Sequence, residues 1–135
     1  MKLRITTIVC ILACLAVAIP MLAQRGGAQA DPISGTWTGD WGPSAQDRNS
    51  ISVDLKLTEG KALTGTVKSV QPARPDVALS KSTFDAGKVH MEATATNPRS
   101  GQMVHYIIDG TVTNGTMTGT WNHDSTKGDF KLTKK

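Results

Sequence analysis

The 135-residue chain is long enough for one domain and carries 15 Lys and Arg against 11 Asp and Glu, a formal net charge of +4. The excess is N-terminal: Lys2, Arg4 and Arg25 precede residue 31 and every acidic residue follows Ala30, which leaves 12 basic against 11 acidic groups beyond that point. A domain so nearly neutral gives no electrostatic reason to bind nucleic acid, and with both cysteines (Cys10 and Cys14) before residue 31 it excludes a disulfide scaffold or a thiolate metal site.

In chain order, the first element is a targeting segment. Lys2 and Arg4 form a positive start, Ile5 to Ile19 is almost wholly apolar, and Pro20 ends the run. Ala28-Gln29-Ala30 offers small residues at the two positions a signal peptidase reads. Residues 1–30 are therefore expected to be a signal peptide and residues 31–135 a secreted or periplasmic domain. Two other readings use the same residues. Ile11-Leu12-Ala13-Cys14 resembles a bacterial lipobox, which would place lipid on Cys14. The apolar run also approaches the roughly 17–25 residues that span a bilayer, which would make it an uncleaved anchor.

From Ile33 onward apolar residues recur with a period of two. Ile33, Gly35, Trp37, Gly39 and Trp41 share one face of a first strand. Ile51, Val53, Leu55 and Leu57 alternate with polar residues in a second, Glu59-Gly60-Lys61 turns the chain, and Leu63, Gly65 and Val67 return in a third. Gln71-Pro72-Ala73-Arg74-Pro75-Asp76 is a loop by composition, after which Val77 and Leu79 begin a fourth strand. Asp85-Ala86-Gly87 is a turn, and Val89, Met91, Ala93 and Ala95 face one way in a fifth strand. A loop at Asn97-Pro98-Arg99-Ser100-Gly101 leads to a longer sixth, in which Val104, Tyr106, Ile108 and Val112 share a face. Asn114-Gly115 is the strongest hairpin signal in the chain. Met117, Gly119 and Trp121 form a seventh strand, a turn is expected over Asp124 to Gly128, and Phe130 and Leu132 mark the eighth.

Short strands, hairpin-length connections and a wealth of Thr, Gly and Val predict an all-β domain. Consecutive hairpins make an up-and-down meander, and closing it removes two exposed edges. An eight-stranded antiparallel barrel is expected, with an open barrel or β-sandwich as the alternative. The pattern Gly-Thr-apolar recurs at Gly35, Gly65, Gly110, Gly115 and Gly119. Except at Gly115, the glycine shares the inner face with the apolar residue, where a missing side chain makes room for a neighbour or lets the strand bend.

Ile33-Ser34-Gly35-Thr36-Trp37 and Ala62-Leu63-Thr64-Gly65-Thr66-Val67 resemble the first strands of the avidin family. More broadly they resemble the calycin barrels (avidins, lipocalins and fatty-acid-binding proteins), which begin with a Gly-x-Trp strand. The avidin ligand set is mostly unmatched: Gly39 and Pro43 stand where the family has an asparagine and a serine, and Val67 where it has a tyrosine. Ser69 keeps a serine of the set, Trp121 stands for a pocket tryptophan, and Asp129 lies near the position of an aspartate. The long loop that carries a tryptophan to a neighbouring subunit is missing. The resemblance thus implies a barrel, and biotin is not its expected ligand.

Trp37, Trp41 and Trp121 all point inward by parity, Trp37 as a plug for the barrel floor and Trp41 at a strand end beside a loop. Tyr106, also inward, has a hydroxyl in need of a partner. His90, Glu92 and His105 face outward, with His105 expected opposite Glu92 or His90. Such a cluster reads as cross-strand polar pairs, since no third ligand follows at a fixed spacing. No nucleophile elbow, zinc-protease helix or phosphate loop is present. Asp40 with Asp47, or Asp124 with Asp129, are aspartate pairs that could be imagined in acid–base work, but loop and strand-end aspartates ordinarily form turns or stand as solvated charges.

Two functions fit this sequence. One is an exported, non-enzymatic barrel for a small, partly apolar or ring-bearing ligand, with Trp41, Ser69, Tyr106 and Trp121 at its mouth and no metal or cofactor. The other is a loop-presenting interaction or inhibitor module with a filled core, offering Gln71–Asp76 and Asn97–Gln102 to a protein partner. The volume of the interior separates them.

Overall fold

A computed structural model describes residues 31–97 and 100–135. The targeting segment with Cys10, Cys14 and Ala28-Gln29-Ala30, and the loop residues Pro98 and Arg99, lie outside the described residues. Eight strands follow one another: β1 (Gly35–Gly42), β2 (Asn49–Leu57), β3 (Leu63–Gln71), β4 (Val77–Asp85), β5 (Lys88–Thr96), β6 (Met103–Thr113), β7 (Thr116–His123) and β8 (Thr126–Lys134). Each pairs antiparallel with the next, and β1 pairs with β8 to close the barrel. The expected barrel is the one formed, and closure excludes the sandwich and open-barrel alternatives.

The register places the alternating apolar sets on one inner face. Trp37 lies opposite Val53, and Val53 opposite Val67. Ala86-Gly87 and Asn114-Gly115 each hold both residues at positive φ, the two-residue turn whose twist matches that of the flanking strands. The last turn is shorter than expected. It occupies only Asp124 and Ser125, and β8 begins at Thr126, because Asp124 takes the left-handed conformation usually left to glycine. Gly128 is thereby freed from the turn and sits within the strand, opposite Trp121.

Strand β4 carries a bulge between Leu79 and Ser82, which keeps Val77, Leu79, Ser82 and Phe84 on the inner side while Ser80 and Lys81 stay exposed. Its pairing with β3 is brief: Thr66 with Ala78 and Val67 with Val77, then one isolated bridge from Ala62 to Thr83.

The barrel has a filled floor. Ile33 and Trp37 are fully buried, as is Met117, and Leu132 and Val53 are nearly so. The Trp37 indole donates a 2.8 Å hydrogen bond to the Ile33 carbonyl, which satisfies its one polar atom. Asp31 accepts the backbone N–H groups of Ile33 and Ser34, and the Ser34 hydroxyl accepts that of Leu57. The segment before β1 therefore folds under the barrel as a cap. At this end β4–β5 and β6–β7 are joined by two-residue turns, whereas the connections after β1, β3 and β5 at the opposite end are longer than these.

Candidate functional site

Two strands carry small inward side chains at their loop ends, Ser69 on β3 and Ala93 and Ala95 on β5. Inward residues of β3 run Leu63, Gly65, Val67, Ser69, and those of β5 run Val89, Met91, Ala93, Ala95. Facing this wall of small residues, β1, β6 and β7 bring Trp41, Tyr106 and Trp121. A barrel filled below and lined this way above leaves space. A cavity of about 450 Å³ opens to solvent there, bordered by Ile51, Val53, Met91, Ile108 and Phe130 on its deeper side.

The four residues expected at the mouth, Trp41, Ser69, Tyr106 and Trp121, all border this one cavity. The aromatic three form a unit. Trp41 meets Trp121 edge to face at 4.8 Å between ring centroids, and Tyr106 lies 6.2 Å from Trp41 and 6.3 Å from Trp121. Trp121 is buried, and its indole donates to the Asp129 carbonyl at 3.2 Å. The glycine at position 128 makes its seat: a Cβ there would stand 2.7 Å from the Trp121 ring and 2.2 Å from the Gly42 carbonyl oxygen. Ser69 donates its hydroxyl to the Pro72 carbonyl at 2.8 Å, so it fixes the start of the β3–β4 loop as well as lining the wall.

His123 belongs to the same cluster, and the sequence reading assigned it no role. It stacks on Trp121 at 5.8 Å with a 17° tilt and meets Tyr106 edge-on at 4.8 Å. The signal was available, since it lies two residues beyond Trp121 on the same strand and hence on the same face. Both His123 Nδ1 and Trp41 Nε1 are buried without a hydrogen-bond partner among the described residues. Burial pushes the Tyr106 hydroxyl above its ordinary pKa, with Arg74 pulling it down and Asp124 pushing it up. The phenol therefore stays protonated and available as a donor at neutral pH.

The β3–β4 loop, which the interaction-module alternative would offer to a partner, is exposed and also brings Arg74, Pro75 and Asp76 to the border of the cavity. Nothing in its composition reveals this, because loop placement depends on where two strands end.

The outer face is separate. His105 lies opposite Thr94, not opposite Glu92 or His90, because the loop after β5 closes with Thr96 beside Met103 and Asn97 donating to Gln102. Glu92 nevertheless reaches both histidines, 2.9 Å to His105 and 3.3 Å to His90, and His90 also holds Asp109 at 2.6 Å. The Asp109 hydrogen bond is the main reason the His90 pKa is raised, and the His90 hydrogen bond the main reason Glu92 is lowered. Among the described residues no group of three or more His, Cys, Asp or Glu is placed to hold a metal ion.

The aspartates imagined as acid–base pairs also lie outside. Asp40 and Asp129 share the Arg48 guanidinium, which ties the β1–β2 loop to β8. Asp129, near the position of the avidin aspartate, thus turns away from the cavity, with its side chain 70% exposed.

No family model matches this chain, and no curated protein matches it. Among solved structures it is similar to the crystal structure of Echinococcus granulosus fatty-acid-binding protein 1, at a TM-score of 0.47 and 12% identity over 76% of this chain and 97% of that one.

Proposed function

We propose that this protein is an exported, non-enzymatic carrier that holds a small, partly apolar, ring-bearing molecule in the barrel mouth. The observation that supports this reading is the cavity itself. Its volume of about 450 Å³ falls within the range of small-molecule sites, and its wall is apolar and aromatic with a few polar groups at the rim. Trp41 and Trp121 offer ring faces, Tyr106 a donor, and Ser69 an oxygen at the opposite wall. The same cavity weighs against an interaction module with a filled core. Binding is favoured over catalysis because Ser69, Tyr106 and His123 make no hydrogen bond to one another, as a nucleophile and its base would.

N-phenyl-1-naphthylamine, a neutral two-ring probe, is expected to brighten on binding and to quench tryptophan emission. The Trp41→Ala variant is expected to lose most of that response. A parent protein whose fluorescence no apolar probe perturbs would remove the carrier reading.

Export is the second half of the proposal. N-terminal sequencing of the protein recovered outside the cytoplasm is expected to begin at Asp31. Lipid found on Cys14, or an intact Met1 segment in a membrane fraction, would replace cleavage with one of the two anchored forms.

A further inference from the structure

Beyond residue 31 the chain has no cysteine, so its only sulfur atoms are the thioethers of Met91, Met103 and Met117. Two of these are sealed in the core: Met117 is fully buried and Met91 is 2% exposed. Met103 is 66% exposed, more than any other large apolar side chain among the described residues. It is the first residue of β6, opposite Thr96 at the end of β5, and both border the cavity. The Thr96 hydroxyl donates to the Met103 sulfur at 3.4 Å, which holds the thioether at the edge of the mouth. Sulfur is a weak acceptor with two lone pairs. That bond engages one of them, and the exposure of the side chain leaves solvent a path to the other.

We propose that Met103 is a site of reversible oxidation by hydrogen peroxide, and that its sulfoxide loosens the hold of the barrel on an apolar guest. The sulfur lone pair attacks one peroxide oxygen. An S–O bond forms, the O–O bond breaks, and the departing hydroxide takes a proton to become water. Sulfur gives up two electrons and the peroxide gains them. The product puts a polar, chiral group where the rim had a flexible apolar one. Its oxygen is a stronger acceptor than the thioether, and the Thr96 hydroxyl stands beside it. Reversal takes a methionine sulfoxide reductase, which spends a dithiol and releases the oxygen as water. The selectivity for Met103 stands on burial, whereas the effect on a guest rests on the carrier reading.

Hydrogen peroxide applied to the full mature chain, followed in time by peptide mass spectrometry, tests the first half. Met103 is expected to gain one oxygen roughly tenfold faster than Met91 or Met117, because susceptibility follows exposure. Equal rates at the three would overturn the selectivity. N-phenyl-1-naphthylamine, titrated before and after that single oxidation, tests the second half. Its dissociation constant is expected to rise about fourfold, the scale of one buried methylene, and to recover once the reductase and a dithiol are added. Met103→Leu keeps an apolar side chain and is expected to bind the probe as the parent does, with no change after peroxide. A shift that persists in Met103→Leu places the sensitive group elsewhere and overturns the proposal, as does an oxidised parent that binds unchanged. If the untreated parent does not bind the probe, the carrier reading fails and the effect on a guest falls with it, while the mass spectrum still decides the site of oxidation.

Discussion

Replacing Trp37 with alanine is expected to cost about 3–5 kcal/mol of unfolding free energy, the range of large aromatic deletions in packed cores. Trp37 is fully buried, its indole N–H is satisfied by the Ile33 carbonyl, and Met117 and Leu132 complete the filled layer around it. Alanine would open a void there that short, tightly paired strands cannot collapse. Trp41→Ala is expected to cost distinctly less, because one side of that ring already borders the cavity and has fewer partner atoms to lose. Urea denaturation of the two variants beside the parent measures both. Equal losses would mean that the mouth is packed as densely as the floor.

Leu55→Asp is expected to abolish the cooperative unfolding transition altogether. Leu55 is 5% exposed and lies between Gly35 of β1 and Gly65 of β3, so its side chain covers space that two glycines leave open. A Cβ at Gly65 would stand 2.9 Å from the Leu55 methyl, which shows how closely the leucine fills that site. A carboxylate there would have neither water nor a cation, and burying an unpaired charge costs more than a small domain has to spare. Far-ultraviolet dichroism of the purified variant reads the outcome. A native β spectrum with a normal melt would contradict the inward assignment of β2.

The strands and their faces were legible because a period of two survives in every one of them but β4, from Ile51-Val53-Leu55 in β2 to Val89-Met91-Ala93 in β5. Closure followed from hairpin-length connections alone. The bulge in β4 was not legible, since an extra residue at Ser80-Lys81 looks in sequence like ordinary polar alternation. The register of His105 depended on a loop whose internal hydrogen bonds no pattern announces. For the site, parity found Trp41, Tyr106 and Trp121, and the avidin resemblance supplied Ser69. His123 obeyed the same parity, but a lone histidine near a turn has too many ordinary explanations to stand out. The place of Arg74 and Asp76 against the cavity was out of reach, because it depends on where β3 and β4 end in space.

The brief pairing of β3 with β4 bears on how fast the interior exchanges its contents. A wall joined at Thr66–Ala78, Val67–Val77 and the single bridge Ala62–Thr83 opens locally at far smaller cost than one laddered along its whole length, as β5–β6 is. Val67, Val77 and Ala78 all border the cavity, so this soft seam is also a side of the compartment. On the carrier reading, the residence time of a guest would be set by breathing at the seam, while the persistence of the folded barrel rests on the Trp37 floor at the other end. On that reading retention and durability are set at opposite ends of the barrel and can be adjusted separately.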